Sequence, residues 1–244
     1  MAEQLTGDVA WLNECFVHGS AHEHVSVYLI EHADESIVID TGSFWHRDGI
    51  LADIDALTDG AGPDAIILSH SDYPHAGNVG AIEARWGDVE VVASSGSPEQ
   101  QGLAGARSVS LDTCEFVSGR EFSFIDPPLA DRSHTTWIFD HIDGILFTAD
   151  GFGNYHQPGE CAWTSVDFGD GIAADTIFQF HRDTLPWLRF VDPPALRRAL
   201  MAVFAERDVQ WIAPVHGNPI RGDAIETYLD RLVGELPRIS FGDR

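Results

Sequence analysis

Four places in this chain set histidine or aspartate at the point where an apolar run gives way to a loop. "AIIL" leads into "SHSDYPHAGN", which carries His70, Asp72 and His75. "DRSHTTW" presents His134, "ILFTAD" ends on Asp150, and "WIAPVH" ends on His216. A single histidine in such a position is most often a hydrogen-bonded structural residue. Six imidazoles and carboxylates repeated at strand ends make a donor set instead. With no cysteine among them, the set suits iron, manganese or zinc. Two-metal chemistry needs a bridging carboxylate and separate terminal ligands, with the ions about 3.5–4 Å apart.

The elements that must position these residues follow from hydrophobic patterning. Strands are expected at Val9–Phe16, Val25–Glu31, Ser36–Asp40 and Ala65–Leu68, with further strands in "VEVVAS", "EFSFID" and the pair within "TTWIFDHIDGILFTAD". "QWIAPV" is the last strand. Helices are expected near Ile50–Leu57 and Val79–Arg85, in "PPALRRALMAVFAE", whose prolines suit a first turn, and in "DAIETYLDRLVGEL". Strands then helices, twice over, imply an α/β (α+β) architecture of two mixed sheets packed together with helices outside. The donor-bearing loops all follow strands, which places them along one edge of the sheets.

Composition narrows the function. The 244 residues carry 39 acidic and 14 basic side chains, a net charge of −25, and every basic residue is arginine. Such a surface repels nucleic acid and anionic membranes, so neither is an expected partner. Dense carboxylates without lysine resemble haloarchaeal composition, in which strong salt screens the self-repulsion. Cys15, Cys114 and Cys161 lie far apart and form no paired spacing, so neither a disulfide framework nor a CxxC motif is expected. No run approaches the ~20 apolar residues that span a bilayer. The opening segment lacks the basic start and apolar core of a signal peptide, which leads to the expectation of a cytoplasmic protein.

The motifs in their order resemble the metallo-β-lactamase fold, and within it the diiron branch of flavodiiron and stand-alone oxygen-binding diiron proteins. "LSHSDYPHAGN" is similar to the HxHxDHxG loop of that superfamily, with Asp72 where hydrolases carry a second histidine. "ILFTADGFGNYH" resembles the segment around the family's bridging aspartate, "IAPVHGNPIR" its closing Ala-Pro-x-His-Gly, and "IVIDTG" its early strand and turn. The resemblance implies an αββα sandwich formed by one domain over residues 1–244, with no flavodoxin domain in it. It assigns His70, Asp72 and His134 to a first metal, Asp150 to the bridge, and His75 and His216 to a second metal. Three further residues, His24, Asp40 and His156, are expected to support the ligands without binding. Pro74 departs from the family, standing where an aspartate normally helps to hold the second ion.

The resemblance further implies two metal ions, iron by preference with zinc or manganese as alternatives, and no bound FMN. The expected function is to bind or reduce a small oxidant (dioxygen, nitric oxide or peroxide), with electrons from an external flavoprotein or rubredoxin-like donor. A homodimer is compatible with it. The competing expectation is a metal-dependent hydrolase of an ester, lactone or thioester, in which the metals activate water. Asp72 and Pro74 weigh against that alternative. A third is an oxygen sensor without turnover.

Overall fold

Strands that are apolar on both faces must be covered on both, and this requirement sets the layers. The computed structural model describes residues 2–94, 103 and 105–241. A seven-stranded sheet forms first, its strands side by side in chain order. They are β1 (Ala2–Gln4), β2 (Val9–His18), β3 (Ala21–His32), β4 (Glu35–Ile39), β5 (Ala65–Leu68), β6 (Glu90–Ser94) and β7 (Arg107–Val109). Pairing is antiparallel from β1 to β4 and parallel from β4 to β7. The crossovers that parallel pairing requires contain α1 (Arg47–Leu57), the single turn α2 (Tyr73–Ala76) and α3 (Val79–Trp86).

A six-stranded sheet follows, built from β8 (Thr113–Val117), β9 (Arg120–Ile125), β10 (Trp137–Asp140), β11 (Ile145–Phe147), β12 (Trp211–Ala213) and β13 (Ile220–Arg221). Its order is β13-β12-β11-β10-β9-β8. The pairing is parallel where β11 meets β12, and the long connection there holds α4 (Ala174–Thr184) and α5 (Pro193–Ala205). Asp192 caps α5 by accepting from the Ala195 amide, and the two prolines sit in its first turn. α6 (Ile225–Phe241) closes the described chain.

Period-2 alternation sends each strand's residues to two different cores. Trp11, Tyr28, Ile39 and Ile67 face Phe122, Phe124, Ile138 and Phe147 between the sheets. Their neighbours Leu12, Leu29, Val38 and Leu68 face the other way, onto Ile50 and Ile54 of α1 and Ile82 of α3. Leu146, Ile212 and Trp137 of the second sheet pack on Ile177, Leu200, Leu229 and Leu232 from the helices of that half. The layering is helix, sheet, sheet, helix, as the sequence predicts. No helix among the described residues is long and apolar enough to cross a membrane.

The structure corrects one expectation outright. Cys15 and Cys161, 146 positions apart, are joined as a disulfide with a Cα–Cα distance of 6.4 Å. Linear spacing could not reveal the pair, because the loop at 156–161 reaches Cys15 only after the sheets have stacked. Cys114 remains a free, exposed thiol.

Candidate metal centre

The loop after β5 carries three of the expected donors, and the turn after β4 holds that loop in place. Ser69, the first residue beyond β5, donates its amide and its hydroxyl to the Asp40 carboxylate, both at 2.8 Å. The amide and hydroxyl of Thr41 donate to the His75 carbonyl at 2.5 and 2.9 Å. The Asn78 side-chain amide donates to the carbonyls of Thr41 and Ser43. Gly77 lets these turns meet, since a Cβ there would lie 2.6 Å from the Gly42 carbonyl oxygen. "IVIDTG" and "SHSDYPHAGN" therefore form one hydrogen-bonded unit.

The second sheet supplies the remaining donors, and the turn that carries Asp150 is strained. Ala149, just before Asp150, has φ 50°, and Phe152 has φ 63°; Asp40 in the first sheet has φ 54°. Non-glycine residues adopt such angles at a cost of order 1–3 kcal/mol, and they cluster at functional sites. The Val215 amide bonds to the Ala149 carbonyl, and the Asn154 amide to the His216 carbonyl, so the Asp150 and His216 loops lock together.

Three imidazoles converge on Asp150. Its Oδ2 lies 3.3 Å from His75 Nε2 and 3.6 Å from His70 Nε2, and its Oδ1 lies 3.3 Å from His216 Nε2. The far ring nitrogens are engaged elsewhere. His75 Nδ1 meets Asp40 Oδ2 at 2.8 Å, and His216 Nδ1 meets the His24 carbonyl at 2.8 Å, with Glu23 at 3.2 Å. Such partners fix the tautomer and turn the Nε2 lone pairs inward, as they do behind metal-bound histidines. His70 Nε2, His75 Nε2 and Asp150 Oδ2 are buried yet make no hydrogen bond of good geometry. Buried polar atoms are normally satisfied, so these are the atoms a cation would complete.

Electrostatics point the same way. Burial, together with the neighbouring His75, pushes His70 down to about 3. Burial also opposes charge on His75, but Asp150 and Asp40 outweigh it and raise that imidazole to about 10. Burial alone would raise the Asp150 carboxyl; His75, His216 and His70 instead hold it far below the usual carboxylate range. A proton on His75 thus stands where a cation would.

Asp72 and His134 lie to one side of this cluster. Asp72 Oδ2 accepts from Arg132 Nε at 2.9 Å, and the His134 ring centroid is 5.9 Å from that of His70. His70, Asp72 and Asp131 bring a donor atom each within 4.8 Å of one another, and His70, His75 and Asp150 do likewise.

The sequence profile of the metallo-beta-lactamase superfamily matches residues 22–160, more than half of the chain. The chain belongs to the metallo-beta-lactamase superfamily. Solved structures of similar fold include the flavodiiron protein of Giardia intestinalis, with TM-score 0.75 and 20% identity over 99% of this chain and 60% of that one. The rubredoxin oxygen:oxidoreductase of Desulfovibrio gigas has TM-score 0.77 and 16% identity over 98% of this chain and 62% of that one. A fragment of a diflavin flavoprotein from Nostoc has TM-score 0.75 and 12% identity over 99% and 96% of the two chains. At these identities the likeness shows the fold. The chain spans about 60% of the length of the first two proteins. No curated protein sequence matches it.

Within this metallo-beta-lactamase domain, two carboxylates near the cluster escape sequence reasoning. Asp131 Oδ2 stands 3.8 Å from His70 Nε2, and Glu23 backs His216. Asp131 opens the "DRSHTTW" segment that supplies His134, so its position was the available signal. The imidazoles of His24 and His156 meet Cys161. They stack on each other at 4.0 Å beside Cys161, and His24 supports the centre through its backbone carbonyl, which meets His216 Nδ1. Pro74 is the second residue of α2 and, with Phe16, Glu23, Trp45, Tyr73 and His216, lines a pocket of about 510 Å³.

Proposed function

We propose that this chain is a dinuclear iron protein that binds or reduces a small oxidant (dioxygen, nitric oxide or peroxide) with electrons from a separate flavoprotein or rubredoxin-like donor. The carrying observation is the convergence of three inward-facing Nε2 atoms on one buried carboxylate, without a thiolate. His70, Asp72 and His134 would hold the first ion, with Asp131 beside them, and His75 and His216 the second, with Asp150 between. Iron held there would supply one-electron chemistry toward a small oxidant. The chain's part is to fix the imidazole tautomers through Asp40, Glu23 and the His24 carbonyl, and to keep bulk water from the buried donors. The similarity to flavodiiron cores supports iron, as does a set of imidazole and carboxylate.

The pocket favours a second reading. Its volume and its apolar lining by Phe16, Val25 and Trp45 exceed the needs of a diatomic molecule and suit an organic ester, lactone or thioester. Metal analysis after expression with both iron and zinc present decides between the two. Iron near two per chain, with an optical spectrum that changes on admitting air, supports the oxidant reading. Zinc with no iron-dependent band and with esterase or lactonase turnover replaces it by the hydrolase.

A further inference from the structure

The disulfide at the rim of the sheets has more company than a disulfide requires. Cys15 and His24 are directly opposed in the β2–β3 pairing, and His22 is two residues from His24 along β3, so Cys15 and His22 project from the same face as diagonal neighbours. The loop after β11 adds His156, which exchanges two backbone hydrogen bonds with His22, at 2.8 and 3.0 Å, and then Cys161. Both histidines turn a ring nitrogen toward sulfur. His22 Nδ1 is 3.7 Å from Cys15 Sγ and 3.5 Å from Cys161 Sγ, and His156 Nε2 is 3.3 Å from Cys161 Sγ. The four donor atoms all lie within 4.8 Å of one another.

We infer that Cys15, His22, His156 and Cys161 form a second metal site, a Cys2His2 set for one zinc-like divalent ion, filled when the two sulfurs are reduced. A tetrahedral zinc with Zn–S near 2.3 Å and Zn–N near 2.0–2.1 Å places sulfur and nitrogen ligands about 3.6 Å apart. The three contacts of 3.3, 3.5 and 3.7 Å bracket that value. A disulfide needs two sulfurs and gains nothing from two imidazoles, whereas a structural zinc site needs all four donors. The set is also apart from the cluster at Asp150. On β3, His22 faces the sulfurs while the next residue, Glu23, points to the other face and backs His216. The ion and the disulfide exclude each other. A dithiol reductant supplies two electrons and two protons, the S–S bond breaks to two thiols, and the reductant leaves as its own disulfide. Binding of the ion then releases the two thiol protons to solvent.

The inference is independent of which metal occupies the Asp150 cluster, because that cluster holds no thiolate and gives no sulfur-to-metal band. The test uses the full chain carrying Cys114→Ser, reduced anaerobically with a phosphine and titrated with Co²⁺ alone. A thiolate-to-cobalt charge-transfer band should grow to one equivalent, be bleached by Zn²⁺, and be absent from the oxidised chain. Cys161→Ser should abolish it. His22→Ala, which leaves both thiols in place, should weaken cobalt binding by at least the roughly 10- to 100-fold that loss of an outer-shell partner costs. Alkylation of the two thiols should slow about tenfold once Zn²⁺ is added. A reduced chain without the band, a band that survives Cys161→Ser, or sulfurs that stay bonded in excess reductant would each overturn the site and leave a permanent staple.

Discussion

The Nδ1 of His75 lies 2.8 Å from Oδ2 of Asp40, across 35 positions of sequence, and neither partner is exposed to solvent. Asp40 thereby chooses which nitrogen of His75 is free to bind. Asp40→Asn keeps the shape and tolerates the left-handed backbone at φ 54°. Chelator competition should show metal affinity lowered about 10- to 100-fold. An unchanged affinity would make the contact incidental.

Asp150→Ala should cost more bound metal than Asp72→Ala. Asp150 touches three imidazoles, whereas Asp72 is drawn outward to Arg132 at 2.9 Å. Asp131→Ala measures the residue that sequence reasoning missed. If it loses more metal than Asp72→Ala, then Asp131 is the carboxylate of the first ion. Metal per chain after gel filtration, on variants whose circular dichroism is native, reads all three.

Pro74 keeps the turn of α2 without offering a donor. If the proposed two-ion centre forms, its ions should therefore be held unequally, one surviving dialysis against a mild chelator and the other leaving. Pro74→Asp should raise the retained metal toward two per chain. Two equally retained ions in the native protein would mean that another carboxylate already serves.

Legibility from sequence divides along physical lines. Ala65–Leu68 was readable to the residue, because a strand buried on both faces is an unbroken apolar run. The short edge strands β1, β7, β8 and β13 and the full length of β2 and β3 were not: β2 runs on past Phe16 into the exposed Val17 and His18, and β3 starts in the polar run Ala21–His24. The helix α4, "ADTIFQFHRDT", buries only a narrow stripe of Ile177, Phe180 and His181, and that stripe hides among polar neighbours. In the centre, donors at strand ends stood out. Asp131 and Glu23 did not, being two carboxylates among 39 acidic residues. Cys15, His22, His156 and Cys161 become a group only through strand register and a distant loop.

Burial pushes His181, inside α4, down to about 4 from its ordinary 6.5. Between those values the unfolded chain binds a proton that the folded chain refuses. The stability tied to His181 is full above pH 6.5 and is lost as the pH falls toward 4, by roughly 3 kcal/mol in all. In metal-free protein, His181→Leu should keep about 2 kcal/mol more of its neutral-pH stability at pH 5. Urea unfolding at pH 7 and pH 5 gives the comparison, and parallel losses in both proteins would place the acid sensitivity elsewhere.

A net charge of −25 predicts that stability rises with salt. The Debye length falls from about 30 Å at 0.01 M to about 3 Å at 1 M, which removes most of the self-repulsion. The melting temperature should climb steadily in potassium chloride. A flat curve would separate this composition from salt adaptation.

The two sheets also set a timetable. His70, Asp72 and His75 belong to the half of the chain made first, and His216 follows His75 by 141 positions. At about 5–20 residues per second, the early donors wait roughly 7 to 28 s on the ribosome for their last companion. An ion caught in that interval would have half a cage and would exchange freely, whereas one caught after β12 docks would be enclosed. The resident metal would then be chosen by what the surroundings offer at the moment of closure, as well as by the donors that receive it.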